Sequence, residues 1–106
     1  MTVNARKLKI RTAEEEDRIR RIVGGSSQAF RVLVLEFHPL AFSLAYKVLG
    51  DDRDAEEVTQ DAFVKVYQAL PQFRGEASLK TWIMRIVMRL SLNKRRDRSR
   101  SAWHRL

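Results

Sequence analysis

Apolar residues in this chain recur at helical spacing and nowhere alternate. Ala29, Phe30, Leu33, Val34 and Phe37 fall on one side of a helix, and Leu44, Ala45, Val48 and Leu49 resume the pattern. A second run, Ala55, Val58, Ala62, Val66, Ala69 and Leu70, has the same period. A third is Leu79, Ile83, Ile86, Val87 and Leu90. No β-branched stretch reads as a strand. A chain of 106 residues makes one small domain, so these faces must pack on one another. The expected fold is all-α, a compact domain of three to four helices around one core.

Local punctuation divides the chain. Residues 1–13 carry Arg6, Lys7, Lys9 and Arg11 without periodicity and read as a mobile basic arm. Glu14–Val23 reads as a helix, with acids in its first turn and Arg20 and Arg21 in its last, which suits the helix dipole. Gly24-Gly25 stops it, and Ser26 or Ser27 caps the next. Pro39 interrupts that pattern, kinks it or opens a new first turn. Gly50 is suited to end it, and Asp51 and Asp52 offer caps for a helix running to Leu70. Pro71 ends that helix. Pro71–Ser78 is a loop in which Gly75 is free to take positive φ. Ser78 caps the last helix, which runs to Arg96, and the Ser-rich basic segment 97–106 reads as a tail or the start of a linker.

Composition removes several functions. There is no cysteine, and His38 and His104 lie far apart, so no metal or cofactor site is expected. No constellation of a catalytic kind is visible, and the chain reads as a non-enzyme. No run approaches the length of a membrane span and no signal segment opens the chain, so no membrane insertion and a cytoplasmic location are expected. The net charge of +8 favours a polyanion. Its distribution is more telling. Residues 51–70 hold six acids against two bases, and residues 71–106 hold ten bases against two acids. Segregated signs suggest two surfaces with two partners.

On the acidic helix, Glu57, Gln60, Asp61 and Val64 share the side opposite the apolar face, with Tyr67 beside Gln60. That side is either a solvated face or a docking surface for a basic partner helix. On the basic helix, Arg85, Arg89 and Arg96 project within about 40° of one another. They form either a solvated face or a phosphate-binding stripe. Phe73 and Trp82 are either core residues or stacking platforms for unpaired bases. Met84, Met88 and Leu92 fill a third sector.

The order of these parts resembles a known family. Asp54-Ala55-Glu56-Glu57-Val58-Thr59-Gln60-Asp61-Ala62-Phe63, then Phe73-Arg74-Gly75-Glu76-Ala77-Ser78, then Thr81-Trp82-Ile83-Met84-Arg85-Ile86, is similar to region 2 of bacterial RNA polymerase sigma factors, with the extracytoplasmic-function class nearest. Gly24-Gly25-Ser26-Ser27-Gln28-Ala29-Phe30 and Leu49-Gly50-Asp51 fit the same pattern. The resemblance covers roughly residues 14–96. It implies a promoter-recognition domain that joins RNA polymerase core and opens the −10 element. The acidic helix would dock on the β′ coiled coil through Glu57, Gln60 and Asp61, with Glu56, Val64 and Tyr67 nearby. The loop, with Phe73, Arg74, Gly75 and Ser78, would capture a flipped base of the non-template strand. The last helix would meet the duplex at the melting fork through Lys80, Trp82, Arg85, Ile86, Arg89, Asn93 and Arg96. An anti-sigma factor would be a further partner.

Two departures qualify the implied roles. The family often has Asn where Arg89 stands and Asp where Asn93 stands, so the place of contact carries over and the base preference does not. Members of this class normally continue into a second, helix-turn-helix domain. The chain ends at Leu106, as an isolated domain of a longer protein or as a one-domain member. The alternatives to promoter recognition are a protein-interaction module without sequence-specific DNA binding and a general basic nucleic-acid binder.

Overall fold

The computed structural model describes residues 12–105. Four α-helices appear among them: α1 (Ala13–Val23), α2 (Ser27–Leu49), α3 (Asp52–Ala69) and α4 (Leu79–Arg105), with a 3-10 turn at Leu70–Gln72 between α3 and α4. The all-α expectation holds. The expected basic arm lies outside the described residues except for Thr12 and Ala13, which begin α1.

Each boundary has a local cause. Thr12 accepts the Glu15 N–H on its side chain and starts α1. Ser26 does the same for α2 through Ala29 N–H, and Asp51 for α3 through Asp54 N–H. Ser78 Oγ accepts the Thr81 N–H at 3.1 Å at the start of α4. Gly50 ends α2 at φ 67°, a left-handed conformation that costs glycine little.

Pro39 does not interrupt α2, which runs unbroken through it. Pro39 is exposed, so water can serve the carbonyl left without its helical donor. Ala29, Leu33, Phe37, Ala41, Ala45 and Leu49 are buried on both sides of it, and this packing keeps the segment helical through the proline. By length and composition α2 is also apolar enough to cross a membrane, with a hydropathy of 1.5. That differs from the sequence expectation. Here its buried stripe packs against α3 and α4, as a core helix does. Pro71 likewise sits inside the 3-10 turn beyond α3. The segment 97–105 is not a separate tail but continues α4 as helix.

The three long helices pack pairwise, and α1 lies against α2. Ala41, Ala45, Ala55 and Ala62 have no exposed surface, so small side chains let the helix axes approach closely. Thr59 is buried among them and donates to the Ala55 carbonyl at 2.7 Å. Ser91 is also fully buried, but its hydroxyl has no hydrogen-bond partner among the described residues. An unsatisfied buried hydroxyl costs ~1–3 kcal/mol, and alanine is the better helix former. Ser91→Ala is therefore expected to hold or raise the thermal midpoint by a few degrees. A clear fall would mean that the hydroxyl is bonded in solution.

Candidate functional site

The acidic helix and the basic helix do not simply face apart. Lys94 and Arg98 lie on the side of α4 away from Arg85 and reach α3. Lys94 Nζ donates to both carboxylate oxygens of Glu57, at 3.2 and 3.3 Å. Arg98 donates to Asp54 Oδ2 at 2.7 Å and to the Leu49 carbonyl at 3.1 Å. The second contact satisfies a carbonyl at the end of α2, so one guanidinium joins three helices at one corner. The sequence reading missed these two residues. Their i, i+4 spacing opposite Asp54 and Glu57, themselves three apart, is the signal that could have revealed them.

The remaining face of α3 is open. Gln60, Asp61, Val64 and Tyr67 are exposed, the last two by 55% and 50%. Asp61 has no ion-pair partner among the described residues, whereas Glu57 is held by Lys94. Glu56 is half-buried, accepts from Gln60 Nε2 at 3.3 Å and lies 3.6 Å from His38 Nε2. Beside this face runs an apolar groove of about 710 Å³ between α2 and α3, lined by Phe30, Val34, His38, Phe63, Val64 and Tyr67 among others. Phe30 meets Tyr67 edge-on at 5.0 Å. The predicted docking residues thus come together on one helix, bordered by apolar surface that the sequence reading had assigned to packing.

The loop after the 3-10 turn forms a second site. Gln72, Phe73, Arg74, Glu76, Ala77, Trp82 and Arg85 line a cleft of about 260 Å³. At ~30 Å³ per water that is the volume of roughly nine waters, a scale suited to one flat ring system. Gly75 takes φ 75° there, as its position in the loop required. Phe73 is only 9% exposed and tilts against Trp82, centroids 4.8 Å apart. Of the two readings the sequence left open for Phe73, core or stacking platform, its burial favours the core, although it still lines the cleft beside Trp82. Trp82 is half-buried against the core, so it is neither wholly core nor wholly free. Ile86, expected among the contact residues, is buried on the core side of α4.

Arg74, Lys80, Arg85, Arg89 and Arg96 are exposed along the loop and one side of α4. Arg74, Lys80, Arg85 and Arg89 form no ion pair among the described residues, and Arg96 donates to Asn93 Oδ1 at 2.7 Å. Ser78 uses its hydroxyl for the α4 cap. Cationic side chains in water, next to a small aromatic-floored cleft, make an arrangement for phosphates and one unstacked ring.

The Sigma-70 region 2 family profile matches residues 33–101, which spans α3, the loop cleft and most of α2 and α4. The chain belongs to the Sigma-70 region 2 family. Its relatives agree with this. The region 2 chain is 32% identical over 80 residues to the RNA polymerase sigma-H factor of Pseudomonas aeruginosa, covering 76% of this chain and 42% of that protein. It is 33% identical over 75 residues to the ECF RNA polymerase sigma-E factor of Escherichia coli K12, covering 71% and 39%. It thus spans about two-fifths of the length of these relatives. Among solved structures it superposes with a TM-score of 0.72 and 28% identity on an engineered region 2 of sigmaE, determined by NMR in complex with GTAAAA, covering 79% of this chain and 87% of that one.

Proposed function

We propose that this region 2 domain recognises the −10 element of promoters for an alternative, extracytoplasmic-function sigma factor. The observation that carries the reading is the loop cleft: one ring-sized space with Trp82 at its wall and Arg74 and Arg85 at its rim. Extruding a base costs a few kcal/mol, and stacking on an aromatic returns ~1–3 kcal/mol. Phosphate contacts along Arg85, Arg89 and Arg96 supply the remainder without reading sequence. The similarity to a region 2 held in complex with GTAAAA supports the same ligand class. In this reading Gln60, Asp61, Val64 and Tyr67 dock RNA polymerase core at the β′ coiled coil, and Glu57 takes part only as far as Lys94 releases it. An anti-sigma factor competes for that surface. The chain has no catalytic role of its own and works in the cytoplasm.

Selection from a pool of randomised single strands tests the assignment. One preferred hexamer, bound at least about tenfold more tightly than its scrambled form, is expected. Equal binding of all strands would make the chain a general basic binder. The arginine stripe has its own measurement. If three arginines each neutralise a phosphate at a duplex fork, the log–log salt slope is about −2.7. Arg89→Ala should then reduce it by about 1. A slope that Arg89→Ala leaves unchanged would put the stripe outside the interface.

A further inference from the structure

The start of α1 carries a capping pattern whose second half is turned elsewhere. Thr12-Ala13-Glu14-Glu15 has the spacing of a capping box, in which the glutamate normally returns to the cap residue's own N–H. Thr12 does its part, accepting the Glu15 N–H at 3.1 Å. Glu15 Oε1, however, lies 3.2 Å from the backbone N–H of Leu79, the first residue of α4, 64 positions along the chain. The contact is partly buried. A carboxylate there satisfies an N–H that the helix itself leaves unpaired and is favoured by the positive end of the helix dipole. α1 also packs on the 3-10 turn Leu70–Gln72. One short helix therefore holds the chain where it enters the loop and where it leaves it.

We propose that Glu15 is a positioning residue for the loop cleft. It sets the first turn of α4, and with it Trp82 and Arg85, against Phe73 and Arg74. The spacing across the cleft then depends on a residue that lines none of it. This rests on the reading of the cleft as the base-binding site. Glu15 acts on selectivity, because a cleft of unset width still attracts phosphates but no longer fits one ring better than another.

The full chain is compared as wild type, Glu15→Ala and Glu15→Gln, against the selected hexamer and its scrambled form. Glutamine keeps an acceptor oxygen and loses the charge, so it separates the hydrogen bond from electrostatics. In Glu15→Ala the ratio of the two affinities is expected to fall about tenfold, the scale of one hydrogen bond. Glu15→Gln should retain most of the ratio. Amide exchange at Leu79 should accelerate in Glu15→Ala and stay near wild type in Glu15→Gln, with circular dichroism reporting that both fold. If both variants discriminate as the wild type does, or if both lose discrimination equally, the positioning role is overturned and the cleft assignment stands. If the wild type itself has no preference, both fall together.

Discussion

Asp61→Lys is expected to abolish binding to a polymerase β′ coiled-coil fragment and to leave strand binding intact. Asp61 is exposed on α3 and forms no ion pair among the described residues, so replacing it breaks no ion pair of the fold. Glu57 would be a poorer choice, because its carboxylate is held by Lys94 and its loss would also disturb α4. A lysine at 61 sets like charge against a basic partner helix. Such juxtapositions cost several kcal/mol, so affinity should fall about a hundredfold or more. Titration of the fragment by anisotropy, beside titration of the selected strand, checks both halves. Asp61 lines no part of the loop cleft. If strand and fragment binding fell together, the two surfaces would not be independent.

Trp82→Ala should weaken binding of the selected single strand about 5- to 150-fold, matching the ~1–3 kcal/mol of one base–aromatic stack. The ring is half-buried and tilts on Phe73, so alanine also removes packing. Trp82→Phe separates these effects, since it keeps an aromatic face at the wall of the cleft. It is expected to bind within a few-fold of wild type. Each affinity is measured well below that variant's own unfolding transition. Unchanged affinity in Trp82→Ala would remove the ring from the interface and leave only the arginines to hold DNA.

The legible parts of this protein are the local ones. Ser26, Asp51, Ser78 and Gly50 end or begin helices through contacts within four residues, so neighbouring positions suffice to place them. The exposed face of α3 proposed for docking was legible for the same reason, because helical geometry alone puts Gln60, Asp61 and Val64 together. Pro39 was harder. Its penalty is local, but packing of Phe37 and Ala41 on either side offsets it. Ile86 and Phe73 were not decided by the sequence, because their pattern suits either a contact or a core, and only the fold buries them.

The sequence by itself determined the all-α class, the helix boundaries at Ser26, Gly50, Asp51 and Ser78, and the division into an acidic helix and a basic one. These follow from periodicity and short-range hydrogen bonding. Only the tertiary structure decided which charges remain available. Lys94 and Arg98 are drawn from the basic total to the acidic helix across 37 and 44 positions. Glu15 leaves its own helix to cap another. Both outcomes depend on where helices cross, and no local pattern contains that distance.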